Sequence, residues 1–217
     1  NYGKEDVILN KAASMNLDWE YGDFEWISFY GRHSMEMNFQ REKIHHGIQA
    51  IGSVRGSSSH QYNPFAIVCE KGSNETMGSC YGFSFVYSGE FLIEAEKDQL
   101  DRTRLICGIH PDNFSWKLQN GDMLWLPEVI MTHSNSGTGK LSRNLHKVIR
   151  EHICRGKWKN SRRPILINNW EATYFKFNGE KLTEIAKQAK QLGIELFALD
   201  DGWFGNREDD SSGLGDW

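Results

Sequence analysis

The sequence predicts two architectures in series: an antiparallel, mainly β sandwich over residues 1–138, then over 162–217 the opening strand-helix-strand portion of a parallel α/β fold. A connecting helix and linker over 139–161 join them. Three observations lead there. Up to about residue 135, short apolar runs are punctuated by turn residues without helical period; from Lys140 the apolar spacing becomes helical; after Pro164 two near-continuous apolar runs flank an amphipathic helix.

In the first region, GFSFVYSGEFLIEAE (82–96) alternates large apolar residues around Ser88-Gly89, which reads as a hairpin. FSWKLQNGDMLWLPEVIM (114–131) repeats the idea around Asn120-Gly121. GSSS at 56–59 is a local loop, and no internal repeat is present. Next, Leu141, Leu145, Val148, Ile149 and Ile153 fall on one helical face, with Arg143, Lys147 and Arg150 elsewhere. The basic stretch RGKWKNSRRP (155–164) reads as a solvated linker closed by Pro164. ILINNW then gives a first strand. EKLTEIAKQAKQLG gives a helix with an apolar stripe at Leu182, Ile185, Ala186, Ala189 and Leu192, and with Gly193 as its C-terminal cap. IELFAL gives a second strand. Such apolar strands fit a parallel sheet buried on both faces. A (β/α)8 barrel closes over roughly 250 residues, so this segment is the first part of a TIM-type barrel at most.

Composition excludes several classes of partner. A net charge of −4 with mixed signs leaves no basic stripe for nucleic acid and no polybasic tract for anionic lipid. No apolar run is long enough for a membrane span, and no signal-peptide pattern opens the chain. Four cysteines without a C-x-x-C spacing give neither a zinc ribbon nor a thioredoxin motif and read as buried free thiols. His45 and His46 are adjacent on a strand and face opposite ways, which argues against a metal site. Eight tryptophans suit both a core and the holding of sugar C–H faces. The chain opens on Asn1 and stops at Trp217 after a Gly-rich turn, so both ends read as cut.

Function in parallel α/β folds collects at the C-terminal ends of strands. The first strand ends in Asn168, Asn169 and Trp170; the second ends in Asp200, Asp201, Gly202 and Trp203. DDG alone is turn chemistry, but two consecutive strands with polar and aromatic ends carry more weight. Adjacent aspartates make a poor glycosidase dyad, because a retaining pair flanks the scissile bond from opposite sides on separate elements. They are well placed to accept hydrogen bonds from neighbouring hydroxyls, with a tryptophan as apolar wall. The residues read as a sugar-hydroxyl clamp.

RRPILINNWEATYF (162–175) with GIELFALDDGWFGNREDDSSGLGDW (193–217) closely resembles the start of the catalytic barrel of family 36 glycoside hydrolases, the bacterial-type α-galactosidases. RGSSSHQYNPF (55–65) is similar to a signature of that family's N-terminal β-sandwich, and the likeness runs along nearly the whole chain. The resemblance implies the C-terminal portion of that sandwich, then the first barrel strands, in an enzyme that removes terminal α-galactose from melibiose- and raffinose-type oligosaccharides with retention. It implies galactose binding by Asp200, Asp201 and Trp170. It also implies a sugar contact from the sandwich, often across subunits, at YGRHSMEM (30–37), where His33 stands in place of the tryptophan many members carry. Imidazole offers hydrogen bonds where indole offers a stacking face. No metal or other cofactor is implied, and an intracellular (cytoplasmic) homotetramer is. The family's nucleophile and acid/base aspartates belong to later barrel strands; Asp209, Asp210 and Asp216 lie in a polar, Gly-rich loop and read as turn-forming or solvated. The rival readings are α-N-acetylgalactosaminidase or galactosyl transfer on the same scaffold, and a non-catalytic sugar-binding module.

Overall fold

The computed structural model describes residues 1–217 as two compact units, Asn1–Arg150 and Glu151–Trp217. The first unit carries eleven strands: β1 (Val7–Leu9), β2 (Ala12–Trp19), β3 (Phe24–Arg32), β4 (Met35–Lys43), β5 (Gly47–Ser53), β6 (Phe65–Glu70), β7 (Cys80–Phe85), β8 (Phe91–Lys97), β9 (Thr103–Ile109), β10 (Trp116–Leu118) and β11 (Val129–Ser134). One sheet runs β11-β7-β6-β3-β4 and a second β2-β9-β8-β5, with every pairing antiparallel; β1 and β10 form a separate ribbon.

The period-two alternation explains how the sheets stack. Trp26, Val68, Phe83 and Phe85 of the five-stranded sheet meet Ile51, Phe91, Ile93, Ala95, Leu105 and Cys107 of the four-stranded sheet in one apolar core. The intervening residues Ile27, Ile67, Cys69 and Cys80 point the other way, and Leu141 covers them from helix α1 (Gly137–Val148). The five-stranded sheet is therefore buried on both faces along β3, β6 and β7, which accounts for the consecutive buried residues in each, Trp26 to Ser28, Ala66 to Cys69, and Gly82 with Phe83. Cys69 and Cys80 are cross-strand neighbours with free thiols, and burial pushes the Cys69 thiol far up; burial alone holds the Cys107 thiol at about 12.

Both hairpins expected from sequence are absent. Ser88-Gly89 joins β7 to β8, which lie in different sheets. Phe83 and Phe85 face Phe91 and Ile93 across the core, so alternation that suits a hairpin equally suits a crossing from one sheet to the other. Asn120-Gly121 does form a tight turn, with Gly121 at φ +88° and Asp122 N donating to Gln119 O at 3.0 Å. Yet β10 pairs with β1 and β11 with β7. Residues 122–128 return without a ladder, and Pro127 in that segment has no N–H to donate. Hairpins form instead from the consecutive pairs β3–β4, β6–β7 and β8–β9, and the tightest is β3–β4, closed at His33-Ser34 with Arg32 opposite Met35 and Ser34 at φ +62°.

Helix α1 packs on β7 and β11, where Asn144 Nδ2 donates to His133 O at 3.1 Å. The expected helical face does not continue through Ile153. The α-register ends at Val148 and a π-helical turn, Ile149–Ile153, follows, whose wider winding takes Ile149 and Ile153 off the stripe and leaves both exposed.

The second unit contains β12 (Leu166–Asn168), the one-turn helix α2 (Trp170–Thr173), α3 (Gly179–Gln191) and β13 (Leu196–Ala198). β12 and β13 pair in parallel, with Leu166, Ile167 and Asn168 opposite Leu196, Phe197 and Ala198. Asn178 caps α3, its Oδ1 accepting from Lys181 N at 2.9 Å, and Gly193 turns the chain out at φ +82° as the sequence predicts. Leu192, expected in the apolar stripe, is 82% exposed, because it is the C-cap residue and has left the helical spiral. Part of the basic linker is structural: Arg162 pairs with Glu195, whose other oxygen accepts from Ile165 N at 2.9 Å. These two bonds hold the Glu195 carboxyl below its usual range and tie the start of β12 to that of β13.

Candidate functional site

The register of β12 and β13 brings the two polar strand ends side by side, since Asn168 lies opposite Ala198 and the next residues leave the sheet together. Asn169 is fully buried and joins three elements. Its Oδ1 accepts from Asp200 N at 2.8 Å, and its Nδ2 donates to Thr173 Oγ1 at 2.9 Å. Asn168 accepts from Trp170 N at 2.7 Å through Oδ1 and donates through Nδ2 to Asp200 Oδ2. Asparagine suits both positions because its amide offers donor and acceptor at once. Asn169→Ala is expected to strip partners from Asp200 N–H and the Thr173 hydroxyl and to destabilise the second unit by ~1–3 kcal/mol, read as a lowered urea midpoint.

Past β13 the backbone folds onto its own carboxylates. Asp200 Oδ1 accepts from Asp201 N at 2.7 Å, and Asp201 Oδ1 from Gly202 N at 2.8 Å. Gly202 sits at φ +87°, with Phe175 Cδ1 2.9 Å from where a Cβ would stand, so the turn requires glycine. Asn168, Asp200, Asp201, Trp203, Phe204 and Leu214 line an open depression of about 480 Å³. Small-molecule sites run from roughly 300 to 1,000 Å³, so a monosaccharide ring fits the scale. Carboxylate acceptors beside exposed indole match a polyhydroxylated ligand with an apolar face.

Of the residues singled out from sequence, Asp200 and Asp201 share this depression. Trp170 does not line it: its indole packs edge-on against Tyr174 and Phe175, with centroids 5.3 and 4.9 Å away. The tryptophan on the wall is Trp203, 57% exposed. His33 stands exposed at the β3–β4 tip of the first unit. Asp209 spends Oδ1 on Ser211 N and Oγ, which is turn chemistry.

Sequence reasoning missed Arg207. Its side chain is 5% exposed and grips Asp201 with a two-pronged bond, Nε to Oδ1 and Nη2 to Oδ2, each 2.8 Å. Nη1 donates to Ser212 O at 2.6 Å, and the guanidinium lies 5.7 Å over the Phe175 ring. One signal was available: Arg207 is the sole cation after Lys190, amid six carboxylates from Asp200 onward. The Arg207 bonds hold the Asp201 carboxyl below its ordinary range. A depressed folded-state value means the pair's stabilisation is fully present above the unfolded carboxylate value of about 3.9 and is lost only as pH falls through the lower folded value. The stability contributed by this pair is therefore expected to stay flat from about pH 7 down to about pH 5, which urea midpoints measured across that range check.

Residues 1–119 match the model of the glycosyl hydrolase family 36 N-terminal domain, and residues 124–217 match that of the melibiases. The chain belongs to glycoside hydrolase family 36. It is similar to the bifunctional alpha-galactosidase/sucrose kinase AgaSK of Mediterraneibacter gnavus, at 50% identity over 217 residues, covering 100% of this chain and 23% of that protein. Alpha-galactosidase 1 of Pediococcus pentosaceus is 49% identical over 217 residues, with 100% and 30% covered. The crystal structure of the family 36 alpha-galactosidase AgaA from Geobacillus stearothermophilus superposes with a TM-score of 0.94 at 47% identity, again covering 100% of this chain and 30% of the other. The chain thus spans between 23% and 30% of the length of these relatives.

Proposed function

We propose that this chain supplies the sandwich and the first barrel strands of a retaining α-galactosidase that releases terminal α-D-galactose from oligosaccharides of the melibiose and raffinose type. The observation that carries the reading is the pair of adjoining strand ends that set Asp200 and Asp201 around one sugar-sized depression walled by Trp203. The names of the relatives support the same substrate class. Asp200 and Asp201 accept hydrogen bonds from galactose hydroxyls, and Trp170 completes the pocket once the barrel closes. His33, at an exposed hairpin tip, reaches sugar held by another subunit of a homotetramer that works in the cytoplasm.

Chemistry is left to other residues. Neighbouring aspartates at one strand end cannot attack an anomeric carbon from one side and protonate its leaving oxygen from the other. The nucleophile and the acid/base come from later strands of the barrel. Discrimination follows from unpaired acceptors: a sugar lacking galactose's axial hydroxyl leaves a carboxylate oxygen without its donor, and such sites reject the wrong epimer strongly. The test is hydrolysis of p-nitrophenyl α-galactoside against the α-glucoside by the full-length enzyme. A large preference for the galactoside is expected, and equal rates would overturn the reading.

A further inference from the structure

The two aspartates are not equivalent. An ionised carboxylate offers about four lone-pair positions. Asp201 Oδ1 already takes Arg207 Nε and Gly202 N, both at 2.8 Å, and Oδ2 takes Arg207 Nη2 at 2.8 Å. Only Oδ2 retains a position for a ligand. Asp200 gives Oδ1 to Asp201 N at 2.7 Å and Oδ2 to Asn168 Nδ2, so each of its oxygens keeps one free position. Asp201 is thus a single acceptor whose direction is set by a fork that does not line the depression itself.

The surroundings of Arg207 are built to hold that fork. The side chain packs against the Phe175 ring, Ser212 O fixes Nη1, and a Cβ on Gly213, at φ +80°, would stand 3.0 Å from Arg207 Cβ. The guanidinium is planar, so two parallel bonds fix the plane of the Asp201 carboxylate as well as its position. We infer that Arg207 is a positioning residue for sugar recognition: it orients Asp201 so that Oδ2 alone faces a galactose hydroxyl, while Asp200 presents both oxygens. This rests on the hydroxyl-clamp reading of Asp200 and Asp201.

The experiment is a double-mutant cycle in the full-length enzyme with Arg207→Met, Asp201→Asn and the pair, reading KM and kcat for p-nitrophenyl α-galactoside across pH. Arg207→Met is expected to raise KM about tenfold or more with a smaller change in kcat. It also frees Asp201 to protonate at higher pH, so the acid limb of kcat/KM moves upward. The pair is expected to be no worse than Asp201→Asn alone, because Arg207 acts only through that carboxylate. Additive losses with an unmoved acid limb would mean that Arg207 merely braces the loop and would overturn the inference. Arg207→Lys keeps the charge without the fork; it is expected to fall between wild type and Arg207→Met, and it carries the same cycle if the methionine variant does not fold. If Asp201→Asn raises KM while neither Arg207 variant does, this inference fails and the clamp stands. If Asp201→Asn leaves KM unchanged, the clamp itself fails.

Discussion

Asp200→Ala in the full-length enzyme is expected to lower kcat/KM on p-nitrophenyl α-galactoside by roughly two orders of magnitude or more. A hydrogen bond to a charged group contributes ~1.5–3 kcal/mol, and Asp200 keeps a free position on each of its two oxygens, so loss of both acceptors reaches that scale. The same change also leaves Asn168 Nδ2 and Asp201 N without their acceptors, so the neighbouring carboxylate loses a brace. Asp200→Asn separates the two effects. Its amide oxygen still accepts, and the loss should be smaller than for alanine if geometry matters, yet substantial if charge does. An Asp200→Ala enzyme with wild-type kcat/KM would remove Asp200 from the sugar site.

The second large effect lies in the sandwich. Phe91 is fully buried between the sheets, in the cluster that includes Phe83, Phe85, Ile93 and Leu105. Phe91→Ala removes a ring from a fully buried site lined by side chains of both sheets, at a cost of ~3–5 kcal/mol. Domain stabilities are only about 5–15 kcal/mol, so the first unit would sit close to its unfolding threshold. Urea unfolding followed by tryptophan fluorescence should show a clearly lower midpoint. Phe91→Leu, which retains most of the volume, should recover much of it.

The sandwich illustrates how far local sequence reaches. Alternation told which residues are buried: Phe83, Phe85, Phe91 and Ile93 all reach the core. It did not tell which strands pair, because the same alternation serves two strands of a hairpin and two strands facing each other across a sandwich. Likewise Asn120-Gly121 made its turn, but whether the following segment joins a ladder depended on partners elsewhere in the chain, and β1 and β7 took the flanking strands. The exposure of Ile149 and Ile153 came from a change of winding that apolar spacing does not encode.

In the second unit the local signals and the pairing agree, since strand, helix and strand are consecutive and parallel pairing follows from the helix between them, but the apolar strands expected to be buried on both faces leave Leu166 and Leu196 exposed in this two-stranded sheet. Sequence was enough to place Asp200 and Asp201 at a strand end and Gly193 at the end of the helix before them, because both follow from local apolar periodicity and turn chemistry. Tertiary structure alone decided which lone pairs those carboxylates have left. Asn168 lies 32 residues from Asp200 in sequence, and Arg207 reaches back around the loop to Asp201. A carboxylate's free acceptors are set by donors that folding delivers to it, and no short stretch of sequence specifies both sides of such a bond.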